Sequence, residues 1–212
     1  MALKVYEIFY SLQGESTRVG LPTVFVRLSG CPMRCTYCDT EYAFSGGSNM
    51  EVAAILREVE SYKTQYITVT GGEPLAQKQC HELMVVLCDA GYSVSLETGG
   101  AMDIAQVDNR VSIILDIKTP GSNEMKKMLW ENLSYIKRKD EIKFVLCGRE
   151  DYDWAKQKIL ALALDEKCTI LFSPSYHELS STDLAGWILA DKLPVRMQLQ
   201  LHKILWGEKA GV

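Results

Sequence analysis

Seven apolar runs of strand length recur along the chain, near 23–28, 66–70, 93–97, 112–117, 141–146, 168–173 and 195–199, with segments of helical period between them. Strand, helix and strand in succession imply parallel pairing through right-handed crossovers. An extended segment at about 3–10 precedes them. The pattern inside the runs narrows the fold further. Val24, Val26 and Leu28 alternate with Thr23, Phe25 and Arg27; Ile67 and Val69 with Thr68 and Thr70; Val94 and Leu96 with Ser93, Ser95 and Glu97; Val195, Met197 and Leu199 with Arg196, Gln198 and Gln200.

A parallel sheet covered on both faces reads as nearly continuous apolar runs, and a closed, packed barrel is filled by branched apolar side chains. These strands instead have one greasy face, for helices, and one polar face. A buried polar group without a partner costs about 1–3 kcal/mol, so the polar face must line an interior that holds water or ligand. The expected fold is α/β, an open, partial parallel barrel of about six strands with an N-terminal extended segment. A sheet with helices on one side and solvent on the other remains open as the alternative. Ser48 and Glu51 have capping-box spacing ahead of Val52, Ile55, Leu56 and Val59, which predicts a helix start there, and Leu83, Leu87 and Ala90 form a second helical stripe.

With 212 residues, 47% of them hydrophobic, and no repeats, low-complexity tracts or linkers, the chain reads as a single domain over 1–212. The net charge of -4 provides no field to attract nucleic acid or an anionic membrane. No run reaches the ~18 apolar residues of a membrane span. Met1–Val5 lacks the pattern of a secretory leader, so a cytoplasmic location is expected. Seven cysteines, only three of them clustered, argue for a metal or redox site over a disulfide framework. Cys80, Cys88, Cys147 and Cys168 lie in or beside apolar runs and read as packing residues.

The clustered three, Cys31, Cys35 and Cys38, follow the first parallel strand on a loop of turn formers, Ser29-Gly30-Cys31-Pro32-Met33-Arg34-Cys35. Thiolates bind soft iron strongly, and three on one short loop hold three corners of a cubane cluster, leaving one iron open. Zinc is the alternative ligand, but its sites pair short-spaced ligands with two more elsewhere, and His81, His177 and His202 are isolated.

This spacing, with Tyr37 before the last cysteine, resembles the signature of the radical S-adenosylmethionine superfamily. Thr70-Gly71-Gly72-Glu73-Pro74 at the end of the second parallel strand is similar to that superfamily's glycine-rich turn, which receives the methionyl amino group. The resemblance implies a 4Fe-4S cluster on Cys31, Cys35 and Cys38, with S-adenosyl-L-methionine chelated at the open iron. Its contacts would come from Tyr37, Cys38, Asp39, Gly72, Glu97, Asp116, Lys118 and Ser173. Strand-end caps or ion pairs are equally open readings for Glu97 and Asp116.

Ser11-Leu12-Gln13-Gly14-Glu15-Ser16, Arg27-Leu28-Ser29-Gly30-Cys31, Cys38-Asp39-Thr40 and Gln198-Leu199-Gln200-Leu201-His202-Lys203 together resemble the 7-carboxy-7-deazaguanine synthase family, over nearly the whole chain. That resemblance implies a lyase: 6-carboxy-5,6,7,8-tetrahydropterin is contracted to 7-carboxy-7-deazaguanine with loss of ammonia, on the route to queuosine. The adenosyl radical would take hydrogen from C6 of the pterin and return it. Thr40 would supply an oxygen to magnesium, and Leu12, Gln13, Gly14, Arg27 and Thr70 would bind the pterin. A homodimer and a flavodoxin-type electron donor are further implications.

Chemically, Arg27 offers a planar fork to a carboxylate from the polar face of its strand, with a buried ion pair to Glu97 or Asp116 as the alternative. Gln13 can both donate and accept, as an amide-like ring edge requires. Two departures stand out: Asp116-Ile117-Lys118 replaces a Ser-Pro-Lys type segment, which leaves the cofactor contacts of 116–119 open, and 206–212 replace a terminal proline that reaches the substrate in some relatives. Other readings are a glycyl-radical activating enzyme with the same cysteine spacing, a metal-binding module without catalysis, and a degenerate regulatory homologue.

Overall fold

The computed structural model describes residues 2–209, 211 and 212. Strand β1 (Ala2–Leu12) runs antiparallel to β2 (Pro22–Leu28), and β3 (Ser48–Glu51) pairs antiparallel with the start of β1. From β2 onward every pairing is parallel, through β4 (Tyr66–Gly71), β5 (Ser93–Thr98), β6 (Ser112–Asp116), β7 (Glu141–Leu146), β8 (Thr169–Pro174) and the two-residue β9 (Arg196–Met197). The sheet order is β3-β1-β2-β4-β5-β6-β7-β8-β9, so six full parallel strands form the barrel wall and a short ninth strand extends it. The N-terminal extended segment is thus an integral edge of the sheet.

Helices α1 (Val52–Ser61), α2 (Cys80–Asp89), α3 (Arg149–Leu162) with the short α4 (Leu164–Lys167), α5 (Ser181–Asp191) and α6 (Leu201–Trp206) accompany the strands. The apolar strand positions face them: Val24, Val26, Ile67, Val69, Val94 and Leu96 are buried in one core with Ile55 and Val59 of α1 and Leu83 and Leu87 of α2. Burial of each such side chain contributes about 1.5–3 kcal/mol. Among the other cysteines, Cys80 and Cys168 are buried, whereas Cys88 and Cys147 are half-buried.

The proposed capping box does not form. Glu51 is the N-cap of α1 with no side-chain cap, because Ser48–Glu51 pair with Ala2–Val5 and are committed to the sheet. A chain-distant backbone ladder here overrides a local side-chain signal. The last strand is also shorter than its alternation suggests: it ends at Met197, the Gln198 amide makes a final bond to the Phe172 carbonyl at 2.9 Å, and the Gln198 side-chain oxygen accepts the Ser16 amide at 2.8 Å.

That contact belongs to a larger arrangement. The β1–β2 connection turns into the barrel, so the lower part of the polar face meets protein rather than water or ligand. Gln13 Nε2 donates to Thr68 Oγ1 (3.1 Å), Thr17 donates through its amide to Glu141 Oε2 (3.0 Å), and Arg18 donates to the Ser93 and Ser112 hydroxyls (3.1 and 3.3 Å). Lys143 Nζ reaches Glu15 Oε2 at 2.5 Å. Polar wall and polar plug satisfy each other, as buried polar groups must. Only the upper part of the lumen, at the carboxyl ends of the strands, is left open.

Candidate active site

The open end is where ligands bind in parallel α/β sheets, and the cysteine loop lies there because it follows β2 directly. Cys31, Cys35 and Cys38 are free and half-buried, and all three line one cavity with Tyr37, Gly72, Glu97, Asp116 and Lys118. Burial raises the pKa of each thiol, so iron binding must displace a proton from each.

The Gly-Gly-Glu-Pro turn is built against this loop with no spare space. A Cβ on Gly72 would lie 2.2 Å from the Gly30 carbonyl oxygen and 2.8 Å from Cys31 Cβ. Gly71, at φ +145°, is in a region that favours glycine. Glu73 is buried and accepts from the Leu75 amide (3.1 Å), Thr98 Oγ1 (2.9 Å) and the Gly99 amide (2.8 Å), fastening the turn to the end of β5. Burial pushes its pKa up, against these hydrogen bonds. The sequence reading named Gly72 but missed Glu73, although the residue stands in the same motif.

Deeper in the cavity, charged groups from neighbouring strands interlock. Asp116 Oδ2 lies 3.0 Å from Lys118 Nζ and 3.5 Å from Lys143 Nζ. Burial opposes ionisation of Asp116, but the two ammonium groups hold its pKa below the usual range. Burial likewise opposes the charge on Lys143, and Glu15, Asp116 and Glu97 raise its pKa well above the ordinary value. Lys118 also stands 5.6 Å from the centre of the Tyr37 ring. Glu97 accepts from Thr70 Oγ1 (2.8 Å) and Gln13 Nε2 (3.3 Å), and burial, then Glu15, raises its pKa.

Among the described residues, Tyr37 Oη and Asp116 Oδ1 are buried with no hydrogen-bond partner. Both belong to residues that line the cavity, so a ligand there would satisfy them. With three thiols at the rim and a glycine cradle that admits no side chain, these residues fit a cubane cluster carrying a bound amino-acid-like cofactor.

The pterin candidates divide. Leu12, Gln13, Gly14, Arg27 and Thr70 all line the cavity. Gln13, however, is buried, and its amide is engaged within the protein: Nε2 donates to Thr68 and Glu97, and Oε1 accepts from the Glu15 amide at 3.1 Å. Arg27 pairs with neither Glu97 nor Asp116. Its Nε contacts Glu7 Oε1 at 2.8 Å, and its guanidinium stands between the rings of Phe9 and Tyr42 at 5.5 and 5.8 Å. Nε is the only guanidinium nitrogen of Arg27 with a hydrogen-bond partner among the described residues, which leaves the Nη edge for a planar anion.

Thr40 lines the cavity and donates to Asp39 Oδ1 at 2.9 Å. Ser173 is buried within β8 and is not among the lining residues; Ser175 and Tyr176 are. Residues from the chain's end complete the wall. Gln200 Nε2 donates to Glu15 Oε1 (2.9 Å) and Asp39 Oδ2 (3.2 Å), and His202 and Lys203 line the same space. Lys143 and Glu15 went unnoticed in the sequence, yet the parity of β7 carries the signal: Ile142, Phe144 and Leu146 face the helices, so Lys143 must face inward.

An open parallel α/β barrel with a three-cysteine loop and a glycine turn at its carboxyl end defines a radical S-adenosylmethionine enzyme. The model of the Radical SAM superfamily matches residues 25–121. The chain is 44% identical to 7-carboxy-7-deazaguanine synthase from Chlorobaculum tepidum, over 98% of this chain and 96% of that protein. It is 38% identical to the synthase from Koribacter versatilis, over 99% of this chain and all of that one. Among solved structures, QueE from Escherichia coli superposes with a TM-score of 0.77 at 24% identity, covering 95% of both chains, which supports the fold. The chain belongs to the 7-carboxy-7-deazaguanine synthase family.

Proposed function

We propose that this chain contracts 6-carboxy-5,6,7,8-tetrahydropterin to 7-carboxy-7-deazaguanine with loss of ammonia, as a radical lyase on the route to queuosine and related deazapurines. The observation that carries it is the meeting of the three thiols and the free Nη edge of Arg27 on one cavity. When bound, the cluster and S-adenosyl-L-methionine would supply the 5′-deoxyadenosyl radical that takes, and later returns, the C6 hydrogen.

The chain's own residues bind and orient. Arg27 receives the substrate carboxylate through its Nη pair, with Glu7 fixing the plane of the fork through Nε. Gln13 acts by holding Glu97, while the backbone of Leu12 and Gly14 and the Thr70 hydroxyl border the ring. Glu97, with its pKa raised by burial, is suited to hold a proton at Oε1 or Oε2 opposite the ring. Cys38 and Gly72 border the methionyl part of the cofactor, as does Asp39, while Tyr37, Asp116 and Lys118 offer a ring face, a carboxylate and an ammonium to the rest. Ser173 belongs to this set only through the strand that carries Ser175 into the wall. Magnesium would take one oxygen from Thr40 and the rest of its shell from substrate and water. A flavodoxin-type donor, a homodimer and a cytoplasmic location complete the reading.

A glycyl-radical activating enzyme would act on a peptide loop; the interlocked charges of the floor suit a small polar ring instead. The test is anaerobic incubation of the reconstituted protein with carboxytetrahydropterin, S-adenosylmethionine and reductant. An ultraviolet-absorbing deazapurine should accumulate, and Cys35→Ala should lose the brown cluster absorbance and the product together. Reductive cleavage of S-adenosylmethionine with no deazapurine would reject the substrate.

A further inference from the structure

A one-electron reaction needs an electron source, and the described residues hold no second metal-binding cluster to relay one. Beyond the cluster loop the described residues hold no second group of clustered thiols: Cys80 and Cys168 are buried, Cys88 lies on α2, and Cys147 is a single thiol beside Gly121, so a donor must approach the cluster loop from outside. The outer face of that loop is continuous with a second segment. Thr36 donates to the carbonyls of Ser122 (3.2 Å) and Gly121 (2.8 Å), the Arg34 amide donates to Glu124 Oε1 (2.8 Å), and Lys127 Nζ donates to the Pro32 carbonyl (2.6 Å).

The surface formed by this seam is cationic on a chain whose net charge is -4. Arg34, Lys126 and Lys127 are exposed. Arg34 is anchored on the cluster loop itself, with Nη1 donating to the carbonyls of Cys31 (2.8 Å) and Met33 (2.6 Å) and its guanidinium 4.1 Å from the centre of the Phe44 ring. The one carboxylate of the seam, Glu124, is buried and already paired, accepting from the Arg34 amide and lying 2.9 Å from Lys127 Nζ. Three cations against one paired carboxylate leave this face with an excess of two positive charges.

We propose that Pro32, Arg34, Lys126 and Lys127 form the docking face for an acidic one-electron carrier protein, placing its redox group against the cluster loop. The proposal rests on the radical reading above. Contacts of this type are small and depend on electrostatic steering, which sets the association rate and its sensitivity to salt.

Lys126→Glu, at an exposed position outside the cavity wall, tests it in the reconstituted enzyme. With reduced flavodoxin as donor at low ionic strength, the second-order rate of S-adenosylmethionine cleavage should fall about five- to tenfold, and its salt dependence should flatten. Lys126→Arg should match the parent, and with excess dithionite all three proteins should cleave at the same rate. Equal flavodoxin-driven rates in parent and Lys126→Glu overturn the docking face, as does a parent enzyme that accepts electrons from dithionite and none from flavodoxin. Failure of the parent with dithionite as well overturns the radical reading instead.

Discussion

Lys143→Met removes the cation at the centre of the barrel floor, where its ammonium serves Glu15 at 2.5 Å and Asp116 at 3.5 Å with its side chain 14% exposed. Deleting one partner of a buried ion pair costs about 3–5 kcal/mol, because the remaining charge loses its compensation. Asp116 keeps Lys118 at 3.0 Å, so the lower end, about 3 kcal/mol, is expected. For a domain of this size about 2–4 °C of melting temperature accompanies each kcal/mol, so the loss at pH 7.5 should be about 6–12 °C.

The sign with pH follows from the carboxylates. Asp116 has a folded pKa below its reference value of 3.8, so its stabilising contribution is present above that value and lost as pH falls through the folded one. Without Lys143 that contribution shrinks, and the gap between variant and parent should be full above pH 3.8 and narrow as pH falls below it through the folded value. Adding Glu15→Gln removes the stranded charge and should restore at least half of the loss. Thermal denaturation of the cluster-free protein across pH measures all of this. A gap that does not change with pH, together with a double variant no better than the single, would show that Lys143 acts through its methylenes and would refute the charge argument.

Other changes probe the site from different sides. Gly72→Ala places a Cβ 2.2 Å from the Gly30 carbonyl oxygen, a backbone clash that forces the turn and the cluster loop apart, so cluster content after reconstitution should drop several-fold and the cluster-free protein should melt earlier; full iron and sulfide loading would contradict the cradle. Arg27→Lys keeps the charge but loses the Nη fork, and KM for the pterin should rise about tenfold or more with little change in pterin-independent cofactor cleavage, as a bidentate carboxylate site requires. Burial lowers the pKa of His202 from 6.5, so the folded protein resists its protonation. Stability from this residue is complete above pH 6.5 and declines as the unfolded chain takes up the proton below it. His202→Gln should flatten that part of the curve, and an unchanged slope between pH 7 and 5.5 would dismiss the effect.

The cysteine spacing, the glycine turn and the period-two faces of the strands were legible because each is local: a loop of thiolates needs no distant partner, and strand parity alone separates helix-facing from lumen-facing side chains. Six parallel strands, the family and the rim of the site followed from them. Where sequence misled, a distant partner intervened. Ser48–Glu51 resembles a cap until Ala2–Val5 pairs with it. Arg27 was given Glu97 or Asp116 as an ionic alternative, whereas the β1–β2 register brings Glu7 opposite it.

The lumen shows the same division. The sequence by itself determined that the barrel interior is polar, because alternation is written residue by residue. Only the tertiary structure decided what meets that polar face. Residues 13–18 fold inward and satisfy the lower half, Gln13 becomes the support of Glu97, and Lys143 joins Glu15 to Asp116 across 128 and 27 positions of chain. Contacts between residues so far apart depend on how the strands are ordered and the sheet curls, which no local pattern encodes.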